Sequence, residues 1–103
     1  MEAMLLIRTE RPVPISIGTG WTAIRIVSEP FLVVTFRGYA PMCEVEAAST
    51  GLRYGLLIGS KSITTAFEPL RAANGGLFAN LNVSLRRSGT ERTAPYEVRK
   101  LGD

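Results

Sequence analysis

Apolar and polar residues alternate with a period of two along much of the chain, as in strands with one buried face. The most regular alternation covers residues 77–86, where every second residue from Leu77 to Leu85 is apolar. Similar alternation or enrichment in β-branched and aromatic residues predicts strands over 22–28, 31–37, 43–48, 52–58 and 93–101. Pro30 separates the first two of these, so we expect one long strand bent at that residue. Loops are predicted over 38–41 and 87–92.

One segment has helical spacing instead. Its apolar face consists of Ile63, Phe67, Leu70 and Ala73. Ser60 or Ser62 can cap its start, because either hydroxyl can accept a hydrogen bond from a free backbone N–H. The run Asn74-Gly75-Gly76 predicts its end. Pro69 should kink this helix or shift its start.

From residue 22 the predicted order is long strand, strand, strand, helix, strand, strand. This order resembles the OB-fold, a five-stranded barrel, over roughly residues 22–101. The expected fold class is therefore mainly β with one helix, an OB-fold-like β-β-β-α-β-β barrel. Residues 1–20 would form an additional N-terminal strand or arm, and residues 21–103 the single barrel domain. Other small β-rich folds with one helix fit the same order.

Composition excludes several kinds of chemistry. The 103 residues include no His and a single Cys, so neither a His-dependent triad nor a cysteine cage for a metal can form. Cys43 alternates with apolar residues, which predicts a buried thiol. Glu44 and Glu46 share one strand face, where they resemble the charged exterior of a half-exposed strand or partners of Arg53 across the hairpin. We expect no catalysis, no metal and no cofactor.

Charge is distributed unevenly along the chain. The net charge is +3, and residues 1–60 contain five Arg and five Glu, so the whole excess follows residue 60. Ten of the 12 basic residues are Arg, which pairs with phosphate and stacks on bases, although a GC-rich genome also explains this ratio. The sequence contains no signal-peptide pattern and no apolar run of membrane-spanning length, which predicts a cytoplasmic protein.

The OB-fold resemblance implies a ligand surface on the second and third strands and on two loops, with cations for phosphates and aromatic rings for bases. The candidate nucleic-acid-binding residues are Arg37, Tyr39, Arg53, Tyr54, Phe78, Arg86, Arg87, Arg92, Tyr96, Arg99 and Lys100. Phe78 is expected on a polar strand face as a stacking platform. The arginines near residue 90 could instead form an ordinary solvated hairpin tip, and the tyrosines could be core residues. Trp21 is interpreted as a packing anchor.

These features predict a non-catalytic protein that binds single-stranded DNA, with RNA possible, in phage or mobile-element replication or repair. It resembles small OB-fold single-stranded-DNA-binding proteins. We expect a homodimer or higher oligomer formed through the N-terminal strand, and no membrane partner. The alternative is a protein–protein interaction or structural module, in which Met4-Leu5-Leu6-Ile7 adds to a neighbouring sheet by β-augmentation.

Overall fold

The computed structural model of the protein describes residues 7–8, 12–91 and 94–101, and for residues 7–8 the backbone only. The elements are β1 (Ile7–Arg8), β2 (Thr22–Ile26), β3 (Phe31–Thr35), β4 (Gly38–Ala47), β5 (Arg53–Leu57), α1 (Lys61–Ala73), β6 (Asn82–Arg87) and β7 (Tyr96–Lys100). The prediction of a mainly β protein with one helix is confirmed.

Strand β4 organises the sheet because both of its edges are paired. On one edge β2 pairs with its second half and β3 with its first half. Ile26 lies opposite Val45 and Phe31 opposite Met42, so residues 27–30 face only residues 43–44. Residues 27–30 outnumber the two residues that they face, so they leave the ladder between β2 and β3, as in a β-bulge. The segment predicted as one long strand bent at Pro30 is therefore two strands, β2 and β3, which pair with the same edge of β4.

The predicted barrel is not closed. The strand order is β1-β3-β4-β2-β6-β7, with β5 on the other edge of β4, and no described pairing joins β5 to β7. All neighbouring strands run antiparallel except β1, which is parallel to β3. The free edge of β5 is covered at Gly55, whose backbone exchanges hydrogen bonds of 2.8 and 2.9 Å with Val13 and Ile15. A closing strand would need that same edge.

Of the N-terminal residues expected to reach a neighbouring sheet, 4–6 lie outside the described part of the chain. Ile7 belongs to β1 and lies opposite Leu32 of its own chain. Further along, Ile15 and Ile17 pack against the main core. The described part of residues 1–20 therefore makes intrachain contacts.

Two predicted boundaries move. The expected loop at 38–41 is the first half of β4, since those residues pair with β3. The expected strand over 77–86 begins only at Asn82. Asn80 has a φ of 74°, in the left-handed region, which ends any extended backbone there. The amide of Asn74 also donates to the carbonyls of Leu77 and Ala79, at 2.7 and 3.0 Å. Phe78 therefore does not lie on a strand face, as predicted, but in a tight connection after the helix.

Helix α1 covers the inner face of the sheet with Ile63 and Phe67, both buried. The hydroxyl of Ser60 accepts from the backbone N–H of Ile63 at 3.4 Å, which makes Ser60 the N-cap. Pro69 lies inside the helix without dividing it or shifting its start. The main core also includes Cys43, which is fully buried as predicted.

Glu29 ties the bend between β2 and β3 to the connection that follows α1. Its carboxylate accepts hydrogen bonds from the backbone N–H groups of Phe78 and Ala79 at 2.8 to 3.2 Å. Charge-assisted bonds of this kind are stronger than neutral ones. This one side chain therefore holds together segments that are 50 residues apart in sequence.

We expect Glu29→Ala to lower the free energy of unfolding by about 1–2 kcal/mol, because two backbone donors lose a charged acceptor. Glu29→Gln should lose less, since its amide oxygen can still accept. Urea unfolding followed by circular dichroism measures both. Glu68→Ala is the control: Glu68 is exposed, and its one ion pair within the described residues is with Arg71 at i+3, so its loss should be within about 0.5 kcal/mol. Equal losses at positions 29 and 68 would contradict the role of Glu29.

Burial raises the pKa of the Cys43 thiol from its ordinary value near 9.0 to about 12, and the Glu29 carboxylate adds to the rise. The folded protein therefore holds this proton where the unfolded chain releases it. The stabilising effect is complete below pH 9 and is lost as the pH rises toward 12.

We expect the stability difference between the wild type and Cys43→Ala to shrink as the pH rises above 9, by at most roughly 1.4 kcal/mol per pH unit. Denaturant unfolding at several alkaline pH values measures this difference. Lys and Tyr residues also titrate at these pH values, but they are the same in both proteins, so their effect cancels when the two unfolding free energies are subtracted. A difference that stays constant with pH would show that the thiol is not protected.

Candidate functional site

A groove with a volume of about 600 Å³ lies between the β3–β4 turn, the end of β5 and the start of α1. The residues that line it are Thr35, Phe36, Arg37, Tyr39, Ala40, Pro41, Leu57, Gly59, Ser60 and Tyr96. None of these residues is acidic. The groove brings together three of the predicted site residues, Arg37, Tyr39 and Tyr96.

The β3–β4 turn presents its aromatic residues to solvent. Phe36 is 95% exposed and Tyr39 is 64% exposed. The hydroxyl of Thr35 accepts from the N–H of Arg37 at 3.1 Å and donates to the carbonyl of Gly38 at 2.8 Å, so the turn is held by its own residues. Gly38 has a φ of 106°, which favours glycine at this position. The turn therefore fixes Phe36 outside any core.

Arg37 carries the charge of this turn. Its guanidinium carbon lies 5.6 Å from the centroid of the Phe36 ring, within the range of a cation–π contact. No carboxylate in the described part of the chain lies within 4 Å of Arg37. The Phe36 ring and the Arg37 guanidinium, which has no carboxylate partner among the described residues, thus lie side by side in the groove lining. The sequence analysis does not include Phe36 among the site residues, because the apolar pattern places it in a strand. Gly38, two residues later, is the sequence feature that indicates a turn at this point.

The opposite side of the groove is formed by Tyr96, at the start of β7. Its backbone N–H donates to the hydroxyl of Ser62 in the first turn of α1, at 3.2 Å. The guanidinium carbon of Arg87 lies 5.8 Å from the Tyr96 ring centroid. Arg87 also donates to the carbonyl of Glu91 at 2.6 Å. The predicted residues Arg87 and Tyr96 therefore adjoin, and Arg92 lies outside the described residues.

A second groove, of about 460 Å³, shares Pro41 and Gly59 with the first. Phe78 lines this second groove, with its ring centroid 6.0 Å from that of Phe67. The guanidinium carbon of Arg71 lies 5.9 Å from the Phe78 centroid. Phe78 is thus partly buried beside α1 and faces the second groove, which Glu68 also lines.

The outer face of β4 and β5 is different in charge. Arg53 lies 3.7 Å from Glu44 and 3.9 Å from Glu46, which confirms the predicted pairing across the hairpin. Arg25 lies 3.5 Å from Glu46. Tyr54, on the opposite strand face, packs against the core. The positive charge of Arg53 is therefore offset locally, unlike that of Arg37.

Trp21 forms the centre of a separate cluster on the outer face. The guanidinium carbons of Arg86 and Arg99 lie 4.6 and 4.2 Å from its ring centroid. Arg86 also donates to Glu97 at 2.6 Å. Sequence reasoning treated Trp21 as a packing anchor, whereas it is 36% exposed and supports two arginines. Lys100 is exposed and lies opposite Val83, one residue beyond Arg99, so it belongs to the other strand face.

Comparison of the chain with protein-family models, with curated proteins and with solved structures finds no match. Among the described residues, no helix has the length and apolar character needed to span a bilayer. The same residues contain no group of three or more acidic, Cys or His side chains able to hold a metal ion.

Proposed function

We propose that the protein binds single-stranded nucleic acid, and single-stranded DNA first, in the groove beside the β3–β4 turn. The observation that carries this proposal is the pairing of exposed Phe36 with the uncompensated cation of Arg37 in a groove lined by no carboxylate. The chemistry is binding only: the protein holds the strand and makes or breaks no covalent bond.

Physical complementarity supports this choice of ligand. Single-strand binders combine cations that follow the phosphates with aromatic rings on which bases stack. Phe36 and Tyr39 supply exposed rings, while Arg37 supplies a cation between them in sequence. A duplex offers its bases only through its grooves, so exposed rings on a short turn suit unpaired bases better. Tyr96 supplies a further ring on the opposite side of the groove.

The architecture supports the same proposal. The six antiparallel strands include two consecutive strands, β2 and β3, on one edge of β4, and the helix lies between β5 and β6. This arrangement resembles an opened OB-fold whose first strand is interrupted. Ligands of that fold bind on the second and third strands and on the loop after the first. In this chain these are β4, β5 and the β3–β4 turn. We therefore propose that the protein shares its architecture with small OB-fold single-stranded-DNA-binding proteins. We also propose that it acts in phage or mobile-element replication or repair.

One observation favours a second function. Val34, which lies opposite Tyr39, and Leu57, which lines the groove, are 60% and 40% exposed and make the turn region apolar as well as basic. Such a surface also fits a protein partner. Salt dependence separates the two functions: neutralised phosphates release counterions, so nucleic-acid affinity falls steeply with salt, whereas an apolar protein contact does not weaken in this way.

We expect labelled oligo-dT to bind at low salt more tightly than duplex DNA of equal length, with affinity falling steeply as salt rises. Fluorescence anisotropy with oligo-dT, RNA and duplex side by side measures this preference. Weak binding that is equal for all three ligands and insensitive to salt would refute the proposal and favour the protein partner.

Two pairs of matched variants locate the interface. Phe36→Ala should weaken oligo-dT binding about fivefold or more, because stacking on one base contributes ~1–3 kcal/mol. Its melting temperature should not change, since Phe36 is 95% exposed. Arg37→Ala should also weaken binding, whereas Arg53→Ala, which removes the same charge where carboxylates offset it, should not. If Trp21→Ala weakens binding and Phe36→Ala does not, the ligand binds the outer face instead.

A further inference from the structure

The outer face of the sheet at β6 and β7 carries a basic cluster that the groove proposal does not use. Trp21 directly precedes β2 and is 36% exposed. The guanidinium carbons of Arg86 and Arg99 lie over its ring, 4.6 and 4.2 Å from the centroid. The face of an aromatic ring attracts a cation, but it does not neutralise the charge. The cluster therefore presents positive charge at a defined place on the sheet.

Arg99 differs from the other described arginines of this face, because it has no carboxylate beside it. Arg25 and Arg53 lie 3.5 and 3.7 Å from glutamates of β4. Arg86 lies 2.6 Å from Glu97, which is directly opposite it in the ladder. Within the described part of the chain, no Asp or Glu lies within 4 Å of Arg99. The charge of Arg99 is therefore uncompensated, on a face where the other cations are paired.

A buried hydroxyl lies beside this cation. Ser84 is directly opposite Arg99 in the ladder of β6 and β7, so the two Cβ atoms are about 5 Å apart on the same face. Ser84 is only 3% exposed, and its hydroxyl forms no hydrogen bond with another described residue. Polar groups that are buried to this degree usually have a hydrogen-bond partner. A free hydroxyl beside an uncompensated cation fits a ligand that is negatively charged and accepts hydrogen bonds.

We propose that the outer face binds a phosphate group at Arg99 and Ser84. The Arg99 guanidinium supplies several N–H donors, and the Ser84 hydroxyl supplies one O–H donor. Arg86 adds the N–H groups that do not point to Glu97, since that contact uses only its Nε. A phosphate accepts hydrogen bonds at several oxygens at once, and a guanidinium matches this geometry. A carboxylate brings fewer oxygens and less charge, so it uses fewer of these donors.

Trp21 holds the two cations of the site side by side. Its ring contacts both guanidinium groups, whose like charges would otherwise separate in solvent. Groups that are already in place lose less conformational entropy when a ligand binds. The groove beside the β3–β4 turn is lined by none of these residues, so the phosphate site can be tested without nucleic acid.

Titration of the whole chain with inorganic phosphate tests the proposal. Trp21 is the only tryptophan, so proton–nitrogen correlation NMR gives one indole signal, which lies within the site. At constant ionic strength, phosphate should shift this signal until it saturates, whereas acetate should shift it much less. Arg99→Gln should weaken phosphate binding by roughly tenfold or more, because charge-assisted hydrogen bonds are lost. Ser84→Ala should weaken it about fivefold, because a neutral hydrogen bond is lost.

Arg53→Gln is the matched control. It removes the same charge from the same face, at a position where Glu44 and Glu46 offset that charge. It should therefore bind phosphate like the wild type. Arg99 is exposed, so its replacement should leave the dispersion of the amide signals unchanged. An indole signal that responds equally to phosphate, acetate and chloride, or phosphate affinity that is equal in the Arg99 and Arg53 variants, would overturn the proposal.

Oligo-dT in phosphate-free buffer identifies the source of the phosphate group. If oligo-dT shifts the indole signal and Arg99→Gln abolishes the shift, the site takes a phosphate of the nucleic-acid backbone. If only inorganic phosphate shifts it, the site takes free phosphate. If neither ligand shifts it, the proposal is wrong. The inorganic phosphate arm contains no nucleic acid, and the groove is tested by Phe36→Ala, so failure of either proposal leaves the other intact.

Discussion

The pairing of both edges of β4 is the constraint on which the rest of the structure depends. Its second half carries Cys43 and Val45 into the main core, while its first half carries Tyr39 and Pro41 past that core to the groove. A ten-residue strand is much longer than the five-residue strands on either side. It can therefore belong to the packed core at one end and to a solvent-exposed site at the other, with no hinge between them.

The segment between β2 and β3 also lies against β4. Residues 27–30 outnumber the two residues of β4 that they face, so they leave the ladder. They also place Glu29 where its carboxylate reaches the backbone of Phe78 and Ala79. The connection after α1 is consequently fixed to the bend. This explains how a segment with strand-like alternation becomes a turn, since its donors bind a side chain instead of a neighbouring strand.

Period-two alternation predicted most of the strands, because burying one face of a sheet imposes that pattern directly. The helix followed from its spacing and its Ser60 cap for the same local reason. The failures involve distant partners. Residues 77–81 alternate as a strand does, but Glu29 and Asn74 take their backbone groups. The local pattern could not show that the barrel stays open. Residues 13–15 cover the edge of β5, and this depends on the path of the N-terminal chain.

The candidate site shows the same division between local and distant information. The sequence identifies the arginines, but it does not show which of them lie beside carboxylates, because that depends on strand register. Arg53 and Arg25 lie against carboxylates because β4 pairs with β5 and β2 at Glu46. Arg37 has no carboxylate opposite it, because it lies in the two-residue turn beyond Thr35 and Gly38, the last paired residues of β3 and β4. A modest net charge of +3 can therefore coexist with a locally uncompensated cation. A polyanion responds to charge within about one Debye length, ~10 Å at moderate salt, so the local arrangement matters more than the total. The nucleic-acid proposal therefore depends on the surroundings of Arg37 and not on the net charge of the chain.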